Sequence, residues 1–277
     1  MNLLTLQLAS KRPDMSRARE GCVWRDLDGS VCGRSLIAGH DRWLDWYDVG
    51  VLAFNDRSPI VRVWPVRGIT LDSVRAEFDR MLRPIVLQAL GWQALHAGAA
   101  LTSEGALLFC GRSGAGKSTT AYALGQMGWT QVADDQVVWQ LHDGRPKVQP
   151  LPFKPRLRPL SHARLGDKAS PRSPWPTSQG LIPMAAIYLL EQRTDGAPVS
   201  ISRVAPAQAF SALLPHAHCF DLSDVDATRV FTDDYLTLAS EVPVFKVRYA
   251  PDLDRLPELL HTIVSAADIA SGDALFV

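Results

Sequence analysis

One short stretch of the chain carries residues that could hold a phosphate group. From Leu107 to Leu124 it reads LLFCGRSGAGKSTTAYAL, so an apolar run leads into glycines, a lysine and then hydroxyl residues. The spacing Gly-x-x-x-x-Gly-Lys-Ser wraps backbone N–H groups around an anion at the start of a helix, where the helix dipole also favours negative charge. We therefore predict a nucleotide-binding loop at residues 111–118.

This loop supplies the predicted contacts with ATP and Mg²⁺. Gly114 and Gly116 permit backbone angles and a close approach that side chains would block. Lys117 is expected to reach the β- and γ-phosphates, and the hydroxyl of Ser118 to bind Mg²⁺. The predicted nucleotide-binding residues are Gly111, Arg112, Ser113, Gly114, Ala115, Gly116, Lys117, Ser118 and Thr119. The alternative is a glycine-rich turn without a ligand, and a chain of this length matches the spacing by chance in roughly one case in a hundred.

Two adjacent carboxylates, Asp134 and Asp135, follow the apolar residues Val132 and Ala133 one helix after the loop. A carboxylate at the end of a neighbouring strand normally completes a magnesium site of this kind. Because successive side chains at a strand end point to opposite sides, one carboxylate could face the metal while the other faces an incoming hydroxyl. The alternative is a solvent-exposed turn.

His96, in the stretch LHAGAAL, is a further candidate for the active site. The strand predicted for this stretch directly precedes the strand that enters the loop, so His96 could lie near the γ-phosphate. The alternative is a histidine that packs in the core.

The surrounding pattern predicts an α/β protein in two parts. Residues 1–69 read as short strands and turns, and residues 70–277 as a nucleotide-binding core. In the core, ALHAGAAL, ALLFC and WTQVADDQVVW are predicted strands, HDG a hairpin turn, and Gly128 the end of the helix that follows the loop. A helix is expected from Thr70, with Pro84 dividing it. Residues 151–183 contain seven prolines and are expected to be irregular.

Bulk composition excludes several classes of function. The 277 residues include 29 Lys and Arg and 29 Asp and Glu, so no basic field favours nucleic acid. No apolar stretch reaches the ~18 residues of a membrane span. The four cysteines show neither a C-x-x-C pair nor a Cys/His cluster, and a disulfide framework is not expected. We expect a cytoplasmic protein without nucleic-acid or membrane partners.

The block from Leu95 to Trp139 resembles the HPr serine kinase/phosphorylase superfamily, which shares its nucleotide-binding fold with phosphoenolpyruvate carboxykinase. The resemblance rests on the opening strand with His96, the GxSGxGKS loop, a helix that ends in glycine and the ADD strand end. It implies a P-loop core of this type with a small N-terminal β-rich region. In size and layout the chain is most similar to the shorter relatives, such as the kinases of lasso peptide precursors.

The resemblance also implies roles for individual residues. Asp134 would take the proton from the acceptor hydroxyl, Asp135 and Ser118 would hold Mg²⁺, Lys117 would contact the phosphates, and His96 would lie beside them. The family usually has glutamate where Thr119 stands here.

The proline-rich stretch contains basic residues that could bind the acceptor. Arg156 and Arg158 lie two apart beside prolines and could grip triphosphate or an acidic peptide end. A solvated loop is the alternative for each of them.

These observations lead to an ATP-dependent kinase that phosphorylates a serine of a peptide or small protein, such as a ribosomally made (lasso) peptide precursor. The alternatives are an ATP-binding sensor or switch without phosphotransfer, and a kinase of a small-molecule hydroxyl. The paired aspartates favour transfer, since a switch needs only one magnesium carboxylate. The sequence leaves a homo-oligomer open.

Overall fold

The computed structural model describes residues 4–26, 28–155, 157, 159–165 and 180–270. Across these residues the chain is a mixed α/β protein, as predicted. It forms two compact units, one of Met1–Ala94 with His218–Thr232 and the other of Leu95–Ala217 with Asp233–Val277. The boundary that the sequence predicts between residues 69 and 70 stays a prediction. No helix of the described ranges is long and apolar enough to cross a membrane.

The strands are β1 Thr5–Leu8, β2 Arg19–Arg25, β3 Val31–Ala38, β4 Asp41–Trp46, β5 Gly50–Asn55, β6 Ser58–Pro65, β7 Gln93–Leu95, β8 Ala97–Leu101, β9 Ala106–Cys110, β10 Thr130–Ala133, β11 Val137–His142, β12 Arg145–Gln149, β13 Ile182–Gln192, β14 Ser200–Val204 and β15 Val244–Tyr249. The helices are α1 Leu71–Glu77, α2 Arg83–Ala89, α3 Lys117–Gln126, α4 Pro159–Leu165, α5 Pro206–Leu213, α6 Val225–Glu241 and α7 Leu256–Ala270.

The first unit is built on a six-stranded sheet with the order β1-β6-β5-β4-β3-β2. β1 runs parallel to β6, and the other neighbours are antiparallel. Leu36, Trp43 and Val51 from three adjacent strands form a buried cluster on this sheet. Such cross-strand apolar contacts hold the register, because a shift by one residue would turn them to solvent.

The helix expected at Thr70 is present and is interrupted, as predicted. The hydroxyl of Thr70 accepts a hydrogen bond from the Ser73 N–H at 3.1 Å, which caps α1. A π-helical turn at Phe78–Leu82 joins α1 to α2. The predicted division of the helix is therefore present, and Pro84 lies just after it, in the first turn of α2, where its missing N–H costs little.

The sheet of the second unit places three strand ends at one edge. β13 is paired in parallel with β9 on one side and with β15 on the other. β8 pairs with β9, and β10 with β8, both antiparallel. Since parallel strands end at the same edge, the last residues of β9, β13 and β15 meet there: Cys110, Gln192 and Tyr249. Ligands of α/β sheets bind at this carboxyl edge.

Aromatic rings fix the packing of α7 on this sheet. Tyr188 of β13 is fully buried and stacks on Phe109 and Phe245 of the neighbouring strands, with ring centroids 5.9 and 5.4 Å apart. Its hydroxyl donates to the carbonyl oxygen of Ile263 in α7 at 3.3 Å, so the one polar atom of the ring has a partner.

Several predicted elements differ in the structure. The stretch WTQVADDQVVW forms two strands, because the chain leaves β10 after Ala133 and enters β11 at Val137. The residues between β10 and β11 are the two aspartates and Gln136. Polar side chains of this kind can hydrogen-bond to nearby backbone groups, which competes with the backbone hydrogen bonds of a sheet. The proline-rich stretch contains a helix, α4, which starts at Pro159 in the first helical turn. The hairpin at HDG is confirmed, with φ of 55° at Asp143 and 72° at Gly144.

Candidate functional site

The glycine loop follows β9 and ends at the first residue of α3, as the sequence predicts. Gly114 and Gly116 have φ of 88° and 85°, in the left-handed region that favours glycine. Gly116 is the N-cap residue of α3. Its backbone is left-handed, and it has no side chain that could hydrogen-bond to the start of the helix. The first N–H groups of α3 are therefore left for a ligand or for water.

Side chains from two strand ends hold the loop in place. The amide of Gln192, the last residue of β13, donates to the Gly114 carbonyl at 2.9 Å. The hydroxyl of Tyr249, the last residue of β15, donates to the Ala115 carbonyl. A Cβ atom at Gly116 would lie 2.6 Å from that hydroxyl oxygen. Both bonds engage loop carbonyls and take up no loop N–H group. The Ala115 N–H donates to the Arg112 carbonyl at 3.0 Å, which closes a turn within the loop.

Lys117 is almost fully buried although it carries a charge. Its side chain is folded back over the loop, where Nζ donates to the carbonyl oxygens of Gly111 at 2.9 Å and Arg112 at 3.3 Å. The residue is only 6% exposed, so the ammonium ion lies inside the arch of the loop and not in bulk solvent. A buried ammonium in such a place is a strong attractor for a second, negatively charged partner.

The aspartates after β10 come close to the loop helix at Gly98 of β8. A Cβ atom at Gly98 would lie 3.2 Å from the carbonyl oxygen of Asp134 and 3.4 Å from that of Lys117. Only a glycine leaves the backbone of these segments room to approach so closely. Asp134 is buried, at 7% exposure, whereas the side chain of Asp135 is 42% exposed. The two carboxylates thus lie in different environments, as adjacent residues after a strand should.

His96 belongs to this group of residues. Its Nε2 lies 3.5 Å from Oδ1 of Asp135. The strand predicted through it is interrupted at this position, since β7 ends at Leu95 and β8 begins at Ala97. Burial and the nearby Lys117 ammonium lower the pKa of His96, and Asp135 opposes that shift. The ring is therefore neutral at pH 7 and can accept a proton or a hydrogen bond.

A second histidine, His216, joins the group although the sequence analysis does not select it. The backbone N–H of His96 donates to the backbone carbonyl oxygen of His216 at 2.7 Å. Leu95 and Ala217 beside them form an isolated β-bridge. Burial, together with the charges of His96 and Lys117, lowers the pKa of His216 to about 4. Burial is thus the main cause of the lowered pKa of both histidines, and the Lys117 charge adds to it.

The first turn of α3 also contacts α4. The hydroxyls of Thr119 and Ser161 lie 3.0 Å apart, and the Gln126 amide donates to the Leu165 carbonyl at 3.0 Å. The first bond joins the first turns of the two helices and the second joins their last residues, so α4 lies beside α3. Arg156 and Arg158, the predicted acceptor-binding pair, lie outside the described residues.

Three loop or site contacts have no signal in the sequence: Gln192, Tyr249 and His216. The first two depend on the parallel order of β9, β13 and β15, and the third on a pairing between residues 122 positions apart in the chain. Within the described ranges no group of three or more His, Cys, Asp and Glu side chains is arranged to hold a metal ion. The predicted magnesium site uses one carboxylate and one hydroxyl, with the remaining ligands from phosphate and water.

Comparison with known proteins finds similarity among solved structures alone. No protein-family model and no curated protein matches the chain. Among solved structures, the chain is similar to the HPr(Ser) kinase/phosphatase from Coxiella burnetii, with 14% sequence identity and a TM-score of 0.36. The likeness covers 65% of this chain and 99% of that one. The account of the site therefore rests on the geometry of its own residues.

The glycine loop yields a prediction about stability. Gly116→Ala places a Cβ against the Tyr249 hydroxyl and puts alanine in left-handed backbone, which by itself costs about 1–2 kcal/mol. Gly128→Ala is the matched control, because Gly128 has a φ of 97° and nothing within 4 Å of the added atom. Urea unfolding should show a larger loss of stability for Gly116→Ala than for Gly128→Ala. Equal losses would mean that the loop does not press on Tyr249.

The depressed pKa of His216 predicts a pH dependence of stability. Between pH ~6.5, the ordinary value for histidine, and about 4, the unfolded chain binds a proton at this residue and the folded chain does not. Folding stability is therefore lost as pH falls through this window. His216→Gln should flatten the decline in unfolding free energy, and His96 should retain its own share.

Proposed function

We propose that the protein is an ATP-dependent phosphotransferase that transfers the γ-phosphate to a serine hydroxyl of a peptide or small protein. The observation that carries the proposal is the approach of three segments at Gly98: β8 itself, the Lys117 end of the glycine loop and the Asp134 end of β10. This approach puts an anion-binding loop and a buried carboxylate in one place, which phosphoryl transfer requires.

The residues at this place fit a triphosphate with Mg²⁺. The loop N–H groups and the Lys117 ammonium suit phosphate oxygens, and close contact at Gly116 leaves no room for a side chain there. Ser118, in the first turn of α3, and Asp135, half-exposed after β10, are oxygen donors of the type that Mg²⁺ prefers. Bound Mg·ATP would supply the transferable phosphate and neutralise its charge.

Asp134 is the residue we assign to the acceptor hydroxyl. A general base needs to lie within hydrogen-bonding reach of the proton that it accepts, in surroundings that exclude bulk water. Asp134 is buried, whereas its neighbour Asp135 is open to solvent and lies beside His96. The difference in burial supports the division of labour between a base and a metal ligand.

His96 and His216 would contribute no positive charge to the site before the nucleotide binds. Because both rings are neutral at pH 7, Lys117 is the cation that they face, and it already binds loop carbonyls. A neutral imidazole can hydrogen-bond to a phosphate oxygen or to Asp135 without competing with Lys117 for negative charge.

The acceptor is proposed to approach along the segment that enters α4. The Thr119–Ser161 contact puts the first turn of α4 beside the first turn of α3, where the phosphates would bind. Lys154, a few residues before α4 in the chain, is exposed and basic. A basic side chain there would suit the acidic or carboxylate-bearing end of a peptide. The roles of Arg156 and Arg158 stay predictions from the sequence.

Separate substitution of the two aspartates tests the proposal. Asp134→Asn should retain ATP binding while phosphotransfer to a serine peptide falls by ~10²–10⁴, because only the base is removed. Asp135→Asn should raise the Mg²⁺ concentration required for activity. Transfer of labelled phosphate from ATP to candidate peptides, with magnesium varied, measures both effects.

Asp143→Asn, at the exposed β11–β12 turn, is the control and should behave as wild type. Full transfer activity in Asp134→Asn would move the base to another residue, with His96 next. ATP binding without transfer to any peptide or small hydroxyl compound in the wild type would favour the sensor.

A further inference from the structure

The first unit brings two of the four cysteines into contact. Cys22 lies in β2, and Cys219 in the segment that re-enters this unit after residue 217. The two thiols are close enough for each to shift the pKa of the other, and the Cys219 Sγ lies 3.5 Å from the carbonyl oxygen of Asp221. We propose that Cys22 and Cys219 are a redox-active dithiol, which small-molecule disulfides convert to an intramolecular disulfide and thiols restore.

A buried serine locks the backbones of the two cysteines together. The Ser35 hydroxyl oxygen accepts from the Cys22 N–H at 2.7 Å and donates to the Phe220 carbonyl at 2.5 Å. Ser35 is completely buried, so no water competes for these bonds. A Cβ atom at Gly21 would lie 2.8 Å from the same Phe220 carbonyl, which shows how closely β2 and this segment approach.

An ion pair and aromatic packing hold the segment from both sides. The Arg19 guanidinium makes two hydrogen bonds to the carboxylate of Asp221, at 2.9 and 2.5 Å. The ring of Phe220 is buried against Phe54 and Trp24, with centroids 5.6 and 6.5 Å away. With the backbones held on both sides, rotation of the two side chains is the movement left to bring the sulfurs to the ~2.05 Å of a disulfide.

The contact between the two thiols lowers the pKa of Cys22 and, together with burial, raises that of Cys219. Attack by Cys22 with resolution by Cys219 follows this direction, and the reverse order would give the same disulfide. Both are partly exposed, so a small oxidant can reach them. Cys110 is fully buried, and burial raises its pKa to about 12.

The chemistry balances with a small disulfide as oxidant. The Cys22 thiolate attacks one sulfur of oxidised glutathione, forms a mixed disulfide and releases one glutathione thiolate, which takes up a proton. The Cys219 thiol then loses its proton and attacks the sulfur of Cys22, which releases the second glutathione as a thiol. Two electrons and two protons have passed from the protein to the small disulfide, and excess glutathione reverses both steps.

The inference does not depend on the proposed function. Where disulfides occur in reducing compartments, they are usually transient and redox-sensing. Here the disulfide would add a covalent link between β2 and the segment that begins at His218. In the reduced protein, hydrogen bonds hold this segment to the sheet.

The test uses the whole protein, reduced, freed of reductant and then incubated with oxidised glutathione. After the reaction is stopped, free thiols are alkylated in denaturant and counted by mass spectrometry. We expect the alkylated thiols to fall from four to two, with a peptide pair linked through Cys22 and Cys219. Incubation with reduced glutathione should restore four.

Cys32→Ser is the matched control, because Cys32 is also partly exposed in this unit, and it should leave the linked peptide pair unchanged. Cys22→Ser and Cys219→Ser should each abolish it. Glutathione adducts on Cys22 without an internal disulfide, a disulfide that involves Cys32, or four free thiols after incubation would each overturn the proposal. Peptide mapping of the wild type decides the matter even if a variant does not fold.

Discussion

The candidate site depends on one constraint: the glycine loop must keep its shape, with its carbonyl oxygens bound to other groups of the protein. Gln192 and Tyr249 bind two of these carbonyls, and the Lys117 ammonium binds two more. Gly116 cannot carry a side chain beside the Tyr249 hydroxyl. The parallel order of β9, β13 and β15 places these partners at one edge of the sheet. The topology of the second unit therefore stabilises the conformation of the loop.

Electrostatics gives the same place its chemical character. The ammonium ion of Lys117 is buried, and it donates to the carbonyl oxygens of Gly111 and Arg112. Burial, with a further contribution from the Lys117 charge, lowers the pKa of His96 and of His216, so the group does not accumulate charge. In the proposed complex the triphosphate would bring its negative charge to this place, and Asp134 and Asp135 follow the end of β10.

The residues of the loop itself were sufficient to predict it, whereas contacts between residues far apart in the chain could not be predicted. The glycine loop, its helix, the HDG hairpin and the position of Asp134 follow from residues adjacent in the chain. Gln192, Tyr249 and His216 reach the site through strand order and a distant bridge, which no local pattern encodes. The prolines after residue 151 concealed α4, because proline in a first helical turn looks the same as proline in a loop. The prediction of a single strand through Asp134 and Asp135 was wrong. Apolar residues on both sides of the two aspartates made the two strands look like one.

The central claim is that residues 111–119 and the end of β10 bind one triphosphate together. Titration of the ¹⁵N-labelled protein with Mg²⁺ and a non-hydrolysable ATP analogue tests it most directly. The account predicts saturable shifts of the backbone amide signals from Gly111 to Thr119 and at Asp134 and Asp135, and their loss in Lys117→Ala at the same analogue concentration. Saturable binding that leaves these amides unmoved, or the same shifts in Lys117→Ala, would contradict the account.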